Sequence, residues 1–109
     1  MTSSPPTSDW ICAQRLKILA EPHRLAILKL LLAGPLHVWE INARIAIEQS
    51  LLSHHLKILR QQGLVEAQRD GKAVLYRLTA DTQSSGEYGL NLGCCTLAFS
   101  ADSSSTIIE

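Results

Sequence analysis

The stretch Gln49-Ser50-Leu51-Leu52-Ser53-His54-His55-Leu56-Lys57-Ile58-Leu59-Arg60-Gln61-Gln62 constrains this fold more than any other. Leu52, Leu56 and Leu59 recur at spacings of four and three, which lays an apolar stripe along one side of a helix. Gln49, Ser50, Ser53, His54, Lys57 and Arg60 fall largely on the other side. Short hydrogen-bonding groups crowd the first turns and cations the later ones. A helix whose start enters a DNA major groove and whose end meets phosphates needs that order. An ordinary amphipathic helix with a solvated face is the plainer reading, and the flanking segments decide between the two.

Upstream, Val38 to Ile45 reads as a short helix with Ile41 and Ile45 apolar at i, i+4. The tight Ala46-Ile47-Glu48 connection makes the pair a helix-turn-helix. Downstream, Gly63 stands where a helix-terminating C′ residue would. Leu64 to Arg69 then reads as a strand, Asp70-Gly71 as a hairpin turn and Lys72 to Leu78 as a second strand. A helix-turn-helix followed by a basic-tipped hairpin predicts a winged helix: mainly α, with a small β-hairpin wing.

Ahead of this unit, Ser8 is a good N-cap and Asp9 favours a helix start, so a first helix is expected from there to about Leu19. Trp10, Ile11, Leu16, Ile18 and Leu19 give it more apolar surface than one face can hide. Glu21-Pro22 restarts the chain as a helix, with proline at the first helical position. Leu25, Ile27, Leu28, Leu30, Leu31 and Leu32 place that helix in the core, and Gly34-Pro35 ends it. His23 and Arg24 read as solvated or capping groups, and His55, beside Leu52 and Leu59, as a packed or partner-bonded imidazole.

The run Leu16-Lys17-Ile18-Leu19-Ala20-Glu21-Pro22-His23-Arg24-Leu25-Ala26-Ile27-Leu28, the Ser53-His54-His55-Leu56-Lys57 and Gly63-Leu64-Val65 motifs, and Arg69-Asp70-Gly71-Lys72 with Tyr76-Arg77-Leu78 follow in order. Together, over about residues 10–79, they resemble the ArsR/SmtB family of bacterial winged-helix repressors. The resemblance implies a homodimer on a double-stranded operator with an inverted repeat, and a first helix shared between core and dimer interface. It implies base contacts from Gln49, Ser50, Ser53 and His54, and phosphate or minor-groove contacts from Lys57, Arg60, Arg69 and Lys72. The family's Cys-Val-Cys metal motif is replaced here by His37-Val38-Trp39, read as a surface histidine and a packed tryptophan. The zinc site on the family's C-terminal helix is excluded, because no histidine follows His55. That long helix is itself not expected: residues 79–89 hold two glycines and many weak helix formers, enough for one short turn. Leu90 to Phe99 reads as extended.

The net charge is zero, which looks wrong for a DNA binder until it is mapped. Residues 44–77 carry six cations against Glu48, Glu66 and Asp70, a surplus of three. Residues 78–109 carry four carboxylates and no lysine or arginine. The local field at the reading head governs encounter with phosphate at close range. No apolar run reaches the roughly 18 residues of a membrane span. The first residues, Met-Thr-Ser-Ser-Pro-Pro-Thr-Ser, have neither a basic start nor an apolar h-region, so the chain is expected to be cytoplasmic. The expected organisation is a disordered tail over 1–8, a DNA-binding domain over 9–79, a cysteine-bearing extension over 80–99 and a polar tail over 100–109.

Three cysteines, an odd number in a reducing compartment, argue against a disulfide framework. Adjacent Cys94 and Cys95 suit a soft ion such as As(III), the candidate inducer, which takes three sulfurs in a pyramid. Cys12 is the remaining thiol, and the resemblance brings it from the partner chain. Oxidation or persulfidation of the same thiols is the rival reading, and inert packing as small hydrophobes the third. No low-pKa nucleophile in a Cys-x-x-Cys context points to an enzyme. The sequence thus predicts a repressor released from DNA through its thiols, with no cofactor needed to bind DNA.

Overall fold

The computed structural model describes residues 7–84 and 88–100. The expected tails lie, apart from residues 7, 8 and 100, outside the described residues. The first helix, α1, spans Thr7–Leu19 and so begins before the expected Ser8 cap. Helix α2 spans Pro22–Leu31; Glu21 caps it, its carboxylate accepting from the Arg24 amide at 2.8 Å. The two-residue strand β1 (Leu36–His37) leads at once into α3 (Val38–Arg44), and Glu48 then stands at the N-cap position of α4 (Gln49–Gln61) without a side-chain capping bond.

Helix α4 ends on two paired bonds. The Gly63 amide donates to the Arg60 carbonyl at 3.0 Å, and the Leu64 amide to the Leu59 carbonyl at 3.0 Å. This is the Schellman arrangement, and it needs the left-handed φ of 76° that Gly63 takes without steric cost. Strands β2 (Val65–Asp70) and β3 (Ala73–Leu78) form the wing, and β1 pairs with the other edge of β3, giving the order β1-β3-β2. Asp70 pairs with Ala73, so the hairpin turn is Gly71-Lys72 rather than Asp70-Gly71. The shift has a cause: Gly71, at φ 66°, opens the two-residue turn, and Asp70 stays in register on β2.

Ile27, Leu28 and Leu31 of α2, Ile41 of α3, Leu52, Leu56 and Leu59 of α4, and Leu64, Val65 and Leu78 of the wing form one core. After β3 the chain turns through Thr79 to Thr82, whose hydroxyls lie 2.6 Å apart, and forms a second antiparallel pair, β4 (Gly89–Asn91) and β5 (Thr96–Ala98). Leu90 and Leu92 bury against the same core at 0 % and 1 % exposure. The Arg15 guanidinium of α1 donates to the Leu92 carbonyl at 2.9 Å, and the Lys29 ammonium of α2 lies over the Phe99 ring. A hairpin thus follows the wing, where a long helix was not expected. Among the described residues no helix is long and apolar enough to cross a membrane.

Candidate nucleic-acid interface and thiol cluster

Because the apolar stripe of α4 is buried, its other residues are left outward. Gln49, Ser50, Ser53, His54, Lys57 and Arg60 are all exposed, as are Arg69 and Lys72 on the wing. Gln49 and Ser53, Trp39 and Asn42 of α3, and Lys72 line one open groove of about 630 Å³ between the two helices and the wing. Lys57 and Arg60 lie about one and two turns farther along α4 from Ser53. The Ser50 hydroxyl donates to a Glu48 carboxylate oxygen at 3.2 Å. Arg77 is held by Glu66 at 2.9 Å, so it adds less to the basic field than its sequence position suggests.

The residues at 37 and 39 differ from expectation. Trp39 is 66 % exposed rather than packed, because Ile41 takes the buried side of the seven-residue α3 and position 39 lies about 200° around from it. Its indole stacks on the His37 imidazole, with ring centres 5.9 Å apart and planes 8° from parallel. His37 is only half-buried yet fully engaged. Nδ1 lies 2.9 Å from Glu40 Oε1, Nε2 lies 2.9 Å from Asp70 Oδ2, and its backbone amide donates to Glu40 at 2.7 Å. The Asp70 and Glu40 bonds hold the imidazole's pKa above its ordinary value, and the His37 amide and ring lower that of Glu40.

The three cysteines meet within one chain, not across a dimer as the resemblance implied. The β4–β5 hairpin folds onto α1 of its own chain and carries Cys94 and Cys95 to Cys12. Cys12 and Cys94 are disulfide-bonded, with Cα atoms 5.9 Å apart, well inside the reach of a bridge. This overturns the expectation of three reduced thiols. Cys95 is free and exposed, its sulfur 3.7 Å from that of Cys12 and 3.9 Å from that of Cys94. All three sulfurs lie within 4.8 Å of one another, a spacing that fits a three-thiolate ligand set once the bridge is reduced.

A second polar cluster was only half legible. His55 is 5 % exposed, and its Nδ1 lies 3.2 Å from the Arg24 guanidinium. Its Nε2 lies 3.7 Å from Glu21, whose other oxygen meets His23 Nδ1 at 3.1 Å. A guanidinium can only donate, so Nδ1 accepts and the ring's proton sits on Nε2. A metal at Nε2 would need the opposite tautomer, so Glu21, His23 and His55 fit a structural clamp better than a cation site. Burial lowers the pKa of His55, opposed by Glu21 and reinforced by Arg24. Burial works to raise that of Glu21, but the Arg24 amide and His23 hold it below the ordinary carboxylate value. Arg24 Nε also donates to the Ile18 carbonyl at 2.7 Å, so the capping role expected of this residue closes the end of α1.

Two close-set helices with an exposed polar face, followed by a hairpin in the same core, define a winged helix-turn-helix protein. The model of the bacterial regulatory protein arsR family matches residues 21–67. The solved structure of HlyU from Vibrio cholerae N16961 is 36 % identical and covers 70 % of this chain and 83 % of that one, with a TM-score of 0.66. The homodimeric winged helix-turn-helix DNA-binding domain Mb0332 from Mycobacterium bovis is 32 % identical over 72 % of this chain and 75 % of that one, with a TM-score of 0.58. The HTH-type transcriptional regulator NmtR of Mycobacterium tuberculosis is 46 % identical over 66 residues, 61 % of this chain but 55 % of NmtR. The chain belongs to the arsR family of bacterial regulatory proteins, and it spans little more than half the length of that curated relative.

Proposed function

We propose that the protein is a homodimeric, sequence-specific transcriptional repressor that leaves its operator when the Cys12, Cys94 and Cys95 cluster changes state. The observation that carries the DNA reading is the groove joining Gln49 and Ser53 of α4 to Lys72 of the wing. It sets short hydrogen-bonding side chains at the start of a helix beside a cation at a hairpin tip, the arrangement that base edges and an adjacent phosphate require. The dimer reading is supported by α1, where Trp10, Ile11 and Leu16 stay 68 %, 48 % and 44 % exposed on a single chain. Two-fold proteins read two-fold sites with half-sites about one helical turn, or a multiple, apart.

For the inducer, the spacing of the three sulfurs supports As(III). Once a thiol reductant has given two electrons and two protons to open the Cys12–Cys94 bridge, one As(OH)₃ would bond the three sulfurs, each S–H proton leaving with an arsenic hydroxyl as water, three waters in all. A second reading, thiol oxidation, is favoured by the Cys12–Cys94 bond. There the two thiols give two electrons and two protons to a peroxide or disulfide oxidant. Either event can act only by stabilising an arrangement of the dimer that binds DNA less well.

The test is a footprint on a duplex selected by the protein from a random pool, repeated with arsenite and with diamide. The double variant Cys94→Ser, Cys95→Ser should bind as wild type does and ignore the inducer. Cys12→Ser should lose the response if three sulfurs or the Cys12–Cys94 bridge are needed. Full induction in a chain lacking all three cysteines would sink the sensing proposal, and a monomer by light scattering at micromolar concentration would count against the dimer.

A further inference from the structure

His37 sits where the strand before the helix-turn-helix, the first helix of that unit and the wing converge. On α3 it faces Glu40, with Arg44 acting on Glu40 in turn; on β2 it faces Asp70. Strand β3 sets Leu75 opposite it, and the Trp39 indole covers one ring face. Asp70 is the last residue of β2, immediately before Gly71-Lys72, so its carboxylate lies beside the cations with which the wing would meet DNA.

A carboxylate only accepts hydrogen bonds, and a neutral imidazole has a single N–H. Both 2.9 Å bonds, Nδ1 to Glu40 and Nε2 to Asp70, are therefore made together only by the imidazolium. In that form His37 ties the wing tip to the head of α3 and neutralises a carboxylate that would otherwise repel phosphate.

We propose that His37 is a positioning residue for DNA recognition, a clasp through Glu40 and Asp70 that fixes the wing tip, and with it Lys72, against the helix-turn-helix. The inference rests on the DNA-binding reading above and is independent of the thiols. The raised pKa agrees with it. The sign follows: the clasp is complete below the ordinary imidazole value, about 6.5, and is lost as pH rises through the raised folded-state value. Operator affinity should fall over the same window. Because the pair is exposed on the Asp70 side, the loss should be modest, about two- to fivefold per chain.

The experiment has two arms on the full chain. In the first, the His37 ring nitrogens are titrated by NMR without DNA. Both should carry protons below the transition, and Asp70→Asn should move the transition down towards the ordinary value. In the second, affinity for the selected duplex is measured from about pH 5.5 to 8.5 in wild type and in each variant, so that the other imidazole on the reading face, His54, contributes to every profile alike. His37→Gln and Asp70→Asn should each flatten the pH profile while leaving the melting temperature unchanged at about pH 8.5, where the clasp is already open, an effect a merely structural residue would not produce. DNA binding with an unaltered pH profile in both variants, or a His37 that titrates as a free imidazole, overturns the clasp alone. Failure of wild type to bind any selected duplex overturns the DNA reading and the clasp with it.

Discussion

Lys72→Ala is the sharpest test of the interface, because Lys72 lies in the two-residue turn at the wing tip, exposed, and outside the core. Its removal should leave folding stability within about 0.5 kcal/mol. If each ammonium neutralises one phosphate, a two-fold complex loses two such contacts, and the slope of log K against log salt becomes shallower by about 1.8. Between about 50 and 200 mM salt, wild type should therefore lose roughly tenfold more affinity than the variant does. A fluorescence-anisotropy salt series on the selected duplex and on a random one reads this directly. The loss at low salt should be nearly equal for the two duplexes, because phosphate carries no sequence. An unchanged slope would refute the placement of the wing tip against the backbone. A loss confined to the selected duplex would mean that Lys72 reads a base instead.

Ser53→Ala should relax sequence preference by about 1–3 kcal/mol at one base position while leaving the random duplex unaffected; equal behaviour on both duplexes would remove Ser53 from the reading set. Leu56→Ala should cost about 2–5 kcal/mol in urea unfolding, since Leu56 is 1 % exposed in the stripe that seats α4; a change below 1 kcal/mol would show a reading helix held some other way. His55 is buried with a lowered pKa, so the unfolded chain takes up a proton that the folded one resists. That stability is present above about pH 6.5 and lost as pH falls below it. His55→Gln should flatten the acid loss, measured in a His37→Gln background because the raised His37 has the opposite sign; an acid limb that does not change would mean that His55 is already solvated.

Helix α4 was legible because its signals are local. Spacing four and three fixed the buried face of α4, and Gly63 supplied the stop that the Schellman bonds now account for. The wing was legible to within one residue. Asp70-Gly71 and Gly71-Lys72 are both acceptable hairpin turns by composition, and the choice between them falls on the φ of Gly71 and on Asp70's bond to His37, thirty-three positions away in the chain. Such a bond leaves no trace in periodicity. The same limit hid Trp39, whose exposure follows from which side Ile41 takes, and Arg24, whose reach to Ile18 and His55 depends on the angle between three helices.

The C-terminal segment shows how far composition alone can carry an argument. Two glycines and weak helix formers after Leu78 were enough to argue against a long helix, and the extended reading of residues 90–99 holds for β4 and β5. What composition cannot supply is the partner of a strand. Leu90 and Leu92 are apolar enough to need cover, and the nearest cover is the chain's own core, next to Arg15 of α1. Once Arg15 holds the Leu92 carbonyl, the turn that follows must set Cys94 and Cys95 over the same helix, and Cys12 is the thiol that α1 offers there. The resemblance pointed to a partner chain because in the family the first helix packs near the partner's C-terminal region. A hairpin, which reverses within a few residues, brings the thiols back to α1 of the chain that carries them.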